Sequence, residues 1–528
     1  MASSQTLKKI GIASVIMMAS VFASRIIGLA REASIAWVGG AGAGVDAYQV
    51  AFVIPEILNH VVASGFLSIT FIPIFTRYIS KGEDGEGFRV FSIVFNGFGS
   101  ALILFILVSI WFAPELIGLL APGMERGPGF DMAVKMTRII IPAQFFFFSG
   151  GLFMAVQFSR EKFFIPALAP LIYNLGIISG GLALHRFLGM EGFAWGVLAG
   201  AFAGSFLLQL WGARKAGLQY FFSFNLRHPD FIRYIVLTLP LMLGLTMTFS
   251  TEILMKFFGS FLDEGSISAM NYALRIMFIL VGLFGQAVGM ASYPFMAKIA
   301  ADKDFPRLNG IINQTLKFIV LVIPFSVVFM VLRTEVVGIL FQRGAFDSRA
   351  LELTAGVLPF FMAGAFAFSA QTIVSRGYFA VQNTLFPALF STGCVLASLP
   401  LIYAAMTVMG LKGVALGLSV SVMLTTGLLF ETWSRKTGNS GKNEVYRFFC
   451  TQVMIGLLLY PLLQATYWGM NWVMPGESLV ARIGICAVTG AVFVVLLGLV
   501  GRLFKIREIQ MLYDKILTKG VPWVKKRR

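Results

Sequence analysis

The sequence predicts an all-α polytopic membrane protein with fourteen transmembrane helices, built as two pseudo-symmetric six-helix lobes followed by two C-terminal helices. Three observations lead to this fold class. The chain is far more apolar than a soluble domain, and its apolar runs are long and separated by short gaps. In addition, the same motifs occur in the same order in both halves of the chain, about 220 residues apart.

Composition excludes several classes of function. Hydrophobic residues make up 57% of the 528 residues and charged residues 13%, with a mean hydropathy of +0.82. A soluble domain has roughly 45–50% apolar and 25% charged residues. The net charge of +17 is spread among the gaps between apolar runs, which favours a topological role over nucleic-acid binding. The cysteines lie inside apolar runs, the three histidines are scattered, and no phosphate-binding loop ends in Gly-Lys-Ser/Thr, so we predict no metal, cofactor or ATP site.

A transmembrane helix needs about 20 mostly apolar residues. The candidate spans are residues 10–36, 47–76, 88–113, 132–158, 163–184, 192–213, 231–257, 266–297, 308–332, 351–375, 384–409, 413–433, 447–468 and 479–501. The first run lacks a small-x-small cleavage site and is expected to remain as helix one. Because no gap is long enough for a soluble catalytic domain, the function is expected to lie in the membrane-embedded part.

Lysine and arginine set the orientation. With the N-terminus inside, 28 of the 42 basic residues lie in inside segments, 9 lie in outside gaps, and the other five lie within or at the edges of spans. This asymmetry predicts a multi-pass protein with both termini in the cytoplasm.

The internal repeat consists of a proline before Phe-rich sequence, then Ser-Arg, then Pro-Ala-Leu. Its members are Pro142, Ser159-Arg160 and Pro166-Ala167-Leu168 in the first half, and Pro359, Ser375-Arg376 and Pro387-Ala388-Leu389 in the second. The shift equals six spans, an even number, so the halves are predicted to insert in the same direction about a pseudo-twofold axis along the membrane normal, as in alternating-access transporters. We predict lobes at 1–225 and 226–440, with two further helices and a basic cytoplasmic tail at 441–528.

Charges inside spans are candidates for function, because each costs about 2.5–3.5 kcal/mol at mid-bilayer unless it has a partner or a wet cavity. Glu56 and Arg275 lie at similar depth, so they could pair across the lobes, either as a static salt bridge or in substrate binding. Glu252 and Lys256 have the i, i+4 spacing of a helix ion pair, and Glu252 is alternatively an ion or proton site.

The segment Ser24-Arg25-Ile26-Ile27-Gly28-Leu29-Ala30-Arg31-Glu32 places two arginines at the far end of the first apolar run. On an unbroken helix, Arg25 and Arg31 are about 120° apart. Arginines that face a cavity suit an anionic substrate, since guanidinium groups match phosphate oxygens in bidentate geometry. A lipid pyrophosphate fits both the charge and the membrane setting, although composition does not single it out from other anions.

This segment resembles the first-helix signature of the MurJ/MviN family of lipid II flippases, in the multidrug/oligosaccharidyl-lipid/polysaccharide exporter superfamily. Further matches follow in the same order along the chain: Gly42-Ala43-Gly44-Val45-Asp46-Ala47-Tyr48, Phe71-Ile72-Pro73, Leu120-Ala121-Pro122-Gly123, Ile165-Pro166-Ala167-Leu168-Ala169-Pro170 with Asn174, Asn271-Tyr272-Ala273 with Arg275, Leu340-Phe341-Gln342-Arg343-Gly344-Ala345-Phe346 and Ser375-Arg376-Gly377-Tyr378-Phe379-Ala380.

The resemblance implies a flippase of the bacterial inner membrane that moves undecaprenyl-pyrophosphate-linked peptidoglycan precursor to the outer leaflet by alternating access. It implies membrane-potential or ion coupling without a cofactor. The expected partners are lipid II and membrane lipids, and cell-wall synthesis proteins are further candidate partners. Carried over by position, the substrate-binding residues are Arg25, Arg31 and Arg275, with Glu32 and Asp46 as acidic partners.

The chain departs from the family pattern at several positions. Leu274 and Phe278 stand where the family commonly has acidic residues, Asn59 and His60 where basic residues are frequent, and Met255-Lys256 where some members have a sodium-binding Asp-Arg pair. Two alternatives therefore stay open: a flippase for another undecaprenyl-linked oligosaccharide, and a non-transporting scaffold for envelope assembly. A cation drug antiporter fits the fold but not a cationic cavity.

Overall fold

Helices form every regular element in the described part of the chain, which confirms the all-α class. The computed structural model describes residues 2–62, 70–244, 246–475, 478–504 and 510. By internal contacts the chain divides into two compact units. The first unit comprises Met1–Ser268 and Arg343–Asp347, and the second comprises Ala269–Gln342 and Ser348–Arg528.

The helices of the first unit run from the N-terminus to residue 259. They are α1 (Ala2–Gly39), α2 (Ala43–Ala51), α3 (Val53–Val62), α4 (Ile72–Lys81), α5 (Asp84–Trp111), α6 (Ala113–Leu120), α7 (Pro128–Ile140), α8 (Ala143–Ser159), α9 (Phe164–Leu188), α10 (Glu191–Gly200), a π-helical segment (Ala201–Leu207), α11 (Leu208–Lys215), α12 (Pro229–Gly244) and α13 (Thr246–Gly259).

The next helix begins in the first unit and continues into the second. The remaining elements are α14 (Ser266–Val281), a π-helical segment (Gly282–Gln286), α15 (Ala287–Ala301), α16 (Phe305–Val320), α17 (Val322–Val331), α18 (Arg333–Phe341), α19 (Ser348–Ala380), α20 (Leu385–Met409), α21 (Leu411–Thr437), α22 (Lys442–Val473) and α23 (Leu479–Leu503).

Eleven helical segments of the described residues are long and apolar enough to cross a membrane. They coincide with predicted spans three to six and eight to fourteen. Predicted spans one, two and seven fall on α1, on α2 to α4, and on α12 with α13, and the last two of these regions include residues outside the described part. The total of fourteen spans stays a prediction.

Two pairs of matched turns agree with the predicted internal repeat. Gly189 and Gly410, 221 positions apart, end α9 and α20 with φ, ψ angles of 54°, −130° and 56°, −130°. Phe112 and Leu332, 220 positions apart, end α5 and α17 at −88°, 17° and −88°, 19°. Turn conformations that recur at offsets of 220 and 221 positions indicate the same order of elements in both halves.

Helices α9 and α10 pack with their backbones in contact. A Cβ on Gly180 would lie 2.4 Å from Cα of Gly196, and one on Gly176 would lie 2.5 Å from Cα of Gly200. The glycines recur every four residues on both helices, the small-residue spacing that brings membrane helices close together. This pair supplies the α9 face on which part of the candidate site is built.

Arg77 and Tyr78, near the end of α4, hold the start of α12. Nη2 of Arg77 lies 2.7 and 2.8 Å from the two carboxylate oxygens of Asp230, and the Tyr78 hydroxyl donates to the same carboxylate. Burial by itself raises the pKa of Asp230, but the hydrogen bonds from Tyr78 and Arg77 outweigh it, so this pKa lies below its ordinary value. These residues lie outside the predicted spans.

We expect Gly196→Ala to lower the thermal unfolding midpoint of the purified protein in detergent. The new methyl group would lie 2.7 Å from the Gly176 carbonyl oxygen, and such overpacking costs about 1–3 kcal/mol. Gly427→Ala, on α21 with no atom within 4 Å of the added Cβ, is the matched control and should be tolerated. Equal effects of the two substitutions would contradict the close packing of α9 on α10.

We expect Asp230→Asn to destabilise the protein at neutral pH and to lose this effect in acid. The folded-state pKa lies below the unfolded value of about 3.9, so the carboxylate stabilises the fold fully above that value and stops doing so as the pH falls through the folded pKa. Unfolding midpoints of wild type and variant across this range measure the difference, with the exposed Asp302→Asn as control. A difference that stays constant with pH would show that ionisation of Asp230 is not the cause.

Candidate functional site

Seven polar side chains from five helices form a connected group inside the first unit, which we call the polar cluster. Its members are Arg31 and Glu32 of α1, Tyr48 of α2, Glu56 of α3, Tyr173 and Asn174 of α9, and Lys256 of α13. Charged and amide groups inside such an apolar unit need partners, and the members of the cluster supply them to one another.

Arg31 is fixed by two contacts. Its Nη2 lies 2.6 Å from Oε1 of Glu32, and its Nη1 donates to Oδ1 of Asn174 at 3.1 Å. Asn174 is oriented in turn by its amide, which donates to the Pro170 carbonyl at 2.9 Å. A guanidinium has five N–H donors, so within the described residues three donors of Arg31 are left for an anion or water. The side chain of Arg31 is 23% exposed, so an outside group can reach it.

A second ion pair joins α3 to α13. Nζ of Lys256 lies 2.8 Å from Oε2 of Glu56, with side-chain exposures of 1% and 25%. The pairing of Lys256 with Glu252 predicted from helix spacing is therefore wrong. The i, i+4 rule compares residues of one helix only, whereas the buried ammonium turns toward a neighbouring helix. Glu252 itself lies half-buried on α13.

Two tyrosines connect the ion pairs. The Tyr48 and Tyr173 hydroxyls each lie close enough to both Arg31 and Glu56 for electrostatic interaction. Tyr48 is buried, with its ring edge-on to Phe52 at 4.9 Å between centroids. Neither hydroxyl forms a hydrogen bond to another described residue, so both can donate to a bound group. Neither tyrosine was predicted as a site residue. Tyr48 ends the matched motif Gly42–Tyr48 and Tyr173 precedes Asn174, but an aromatic residue in a membrane helix is not by itself a sign of binding.

Asp46 serves a different purpose from the polar cluster. Its carboxylate accepts hydrogen bonds from the backbone N–H groups of Gly265 and Ser268, both at 2.7 Å. The carboxylate thus supplies hydrogen-bond acceptors to the N–H groups at the start of α14, where the helix dipole also favours negative charge. Gly265 has a φ of +90°, and a Cβ there would lie 2.3 Å from the Ala41 carbonyl oxygen. Asp46 therefore anchors a helix start and the adjoining turn.

Two further arginines, Arg25 and Arg275, were predicted as binding residues. Helix α1 is continuous through Gly28, which leaves Arg25 and Arg31 about 120° apart around it. Arg25 is exposed. Arg275 lies half-buried on the part of α14 that belongs to the second unit, so the hypothesis that it pairs with Glu56 stays untested.

Apolar packing fills the positions where the resemblance would place acids or a sodium site. Leu274 and Met255 are fully buried, and the ring of Phe278 packs edge-on to Phe368 with centroids 6.0 Å apart. The side chains of Asn59 and His60 lie outside the described part of the structure. Among the described residues, no group of three or more potential ligands is arranged to hold a metal ion.

Comparison with known proteins gives a consistent match along the chain. A family model described as "Lipid II flippase MurJ" matches residues 35–480. The lipid II flippase MurJ of Burkholderia cenocepacia is 27% identical over 481 residues, covering 90% of this chain and 93% of that protein. The probable lipid II flippase MurJ of Thermotoga maritima is 26% identical over 507 residues, covering 94% and 97%.

Solved structures show the same fold. A structure titled "Lipid II flippase MurJ, inward closed conformation" superposes with a TM-score of 0.73 at 24% identity, covering 92% of this chain and 99% of that one. A multidrug resistance MATE family transporter in an inward-facing conformation superposes with a TM-score of 0.65 at 15% identity, covering 78% and 94%.

We expect Glu56→Gln to destabilise the protein by about 3–5 kcal/mol, because it leaves the fully buried Lys256 ammonium without a counter-charge. The double variant with Lys256→Met should recover much of the loss, since it removes the orphaned charge. A double-mutant cycle on thermal unfolding midpoints in detergent measures the coupling. Strictly additive effects would mean that the 2.8 Å contact does not hold these helices together.

Proposed function

Because the chain belongs to the lipid II flippase MurJ family, we propose that it carries lipid II from the inner to the outer leaflet of the bacterial cytoplasmic membrane by alternating access. Lipid II offers a pyrophosphate between a long lipid and a polar head. A protein that moves it must hold this anion inside an otherwise apolar structure.

The observation that carries the proposal is the set of unused donors on Arg31. The contacts to Glu32 and Asn174 fix the guanidinium in place while leaving three N–H groups for a ligand. Tyr48 and Tyr173 lie nearby with hydroxyls that can donate to phosphate oxygens. A preorganised arginine with neighbouring hydroxyls is the donor set that a pyrophosphate requires. We propose that Arg25 and Arg275 take part in the same binding at other stages of transport.

We propose that the energy comes from the membrane potential or an ion gradient. The chain has no nucleotide-binding motif of its own. Glu252, and the carboxylate of Glu56 beside Lys256, are the acidic groups of α13 and α3 on which a coupling cation or proton could act. We further propose that both termini are cytoplasmic, in agreement with the basic residues of the inside segments, and that cell-wall synthesis proteins are partners.

A second candidate is a flippase for another undecaprenyl-linked oligosaccharide. The specific observation in its favour is that Leu274 and Phe278 beside Arg275 are apolar and packed, where the family resemblance calls for acids. These substrates share the lipid and the phosphate and differ in the sugar, so the same arginines would serve. The substrate itself therefore separates the two candidates.

Complementation tests the proposal. We expect the wild type to restore growth of a bacterium depleted of its lipid II flippase, and Arg31→Ala, Arg25→Ala and Arg275→Ala to lose rescue at equal membrane expression. The loss of charged hydrogen bonds worth about 1.5–3 kcal/mol corresponds to about 10- to 150-fold weaker binding. Arg214→Ala, at an exposed position of α11, is the matched control.

The outcomes separate the candidates. An expressed wild type that fails to rescue contradicts lipid II transport and favours another oligosaccharide or the scaffold. Rescue by all three arginine variants keeps transport and contradicts the assigned binding residues.

A further inference from the structure

Arg376 of the second unit is a cation with no counter-charge among the residues that the structure describes. It lies about one turn before the end of α19, with its guanidinium against α15, where a Cβ on Gly289 would lie 2.8 Å from Nη1. This Nη1 is fully buried, and no described residue forms a hydrogen bond with it. Within the described residues, Arg376 forms no ion pair or hydrogen bond.

The internal repeat shows that Arg376 lacks a carboxylate that its counterpart has. The counterpart of Arg376 in the first half is Arg160, which forms an ion pair with Asp84. Asp84 is the first residue of α5, and the equivalent helix α16 begins 221 positions later with Phe305. The second half has thus kept the arginine and lost its carboxylate. The neighbouring Asp304 is already engaged, since it accepts a hydrogen bond from the Arg307 backbone N–H.

The surroundings of Arg376 suit an oxyanion. The Tyr293 hydroxyl of α15 lies close enough to the guanidinium to interact electrostatically, and Tyr293 is 37% exposed. An arginine and a tyrosine together offer several donors in a geometry that fits phosphate. Because Gly289 has no side chain, the guanidinium lies close against the α15 backbone and is held in place there.

The position of Arg376 indicates the source of the anion. By the distribution of lysine and arginine, the turn after α19 is an inside segment, so Arg376 is expected at the level of the inner-leaflet headgroups. Phosphate is the anion concentrated there, in anionic lipids and in lipid-linked precursors. An unpaired cation at the edge of an apolar helix is stabilised by such a group.

We propose that Arg376, with Tyr293, binds the phosphate or pyrophosphate group of a lipid in the inner leaflet. The site belongs to the second unit, whereas the polar cluster belongs to the first. The binding itself does not depend on the proposed function. Only the identification of the ligand as the transported lipid rests on it.

Lipid-dependent thermal unfolding of the full-length, delipidated protein in detergent tests this site. Three probes are added separately: undecaprenyl pyrophosphate, phosphatidylglycerol, and diacylglycerol as a lipid without phosphate. We expect stabilisation by at least one phosphate-bearing lipid and none by diacylglycerol. In Arg376→Gln, the lipid concentration for half-maximal stabilisation should rise about tenfold or more. Arg160→Gln should keep the wild-type value, because Arg160 is already paired with Asp84 and does not need a lipid phosphate.

Two further variants keep the test decisive if Arg376→Gln fails to fold. Arg376→Lys retains the charge and loses the bidentate fork, and Gly289→Ala places a methyl group beside Nη1, so both should weaken binding. A response to undecaprenyl pyrophosphate alone assigns the site to the transported lipid, and a response to phosphatidylglycerol assigns it to bulk anionic lipid. Unchanged lipid dependence in the Arg376 variants, or an equal response to diacylglycerol, overturns the proposal. Complementation by the wild type reports on transport independently.

Discussion

The cost of holding a charge in an apolar interior is the constraint on which the first unit depends. Lys256 is almost completely buried and is matched by Glu56 on another helix, while Arg31 is matched by the adjacent Glu32. Each pair removes an uncompensated charge, and each joins or orients helices that carry little other polar chemistry. An apolar core alone would pack these helices, but it would not give the interior any means of recognising an anion.

The guanidinium of Arg31 is the cation in the polar cluster that keeps N–H donors available for a ligand. Glu32 and Asn174 use two donors of Arg31 and fix its orientation, and the remaining donors stay available beside Tyr48 and Tyr173. Preorganised donors cost little reorganisation when a ligand arrives, so even a single arginine can contribute substantially to binding. The same logic distinguishes Asp46, whose two backbone hydrogen bonds satisfy the start of α14 and make it a structural residue.

Much of the fold could be predicted from sequence, because span length and repeat spacing are local or periodic properties. The turns at Gly189 and Gly410 show that the two halves keep the same order of elements. Partner choice could not be predicted in this way. Helix spacing indicated Glu252 as the partner of Lys256. The observed partner, Glu56, lies 200 positions away in the chain and is brought close only by folding, so no local pattern could indicate it. Arg31 was found through its motif. Tyr48 also stands in a matched motif, but nothing in that motif pointed to binding, and Tyr173 carried no signal beyond being aromatic.

Direct transport by the purified protein is the most direct test of the central claim that Arg31 holds the substrate pyrophosphate. Proteoliposomes that contain fluorescent lipid II are treated with a membrane-impermeant reductant, and the fraction of probe that becomes accessible over time gives the translocation rate. We expect rapid translocation by the wild type and a rate at least about tenfold lower for Arg31→Gln with an unchanged unfolding midpoint. Wild-type translocation by Arg31→Gln would contradict it.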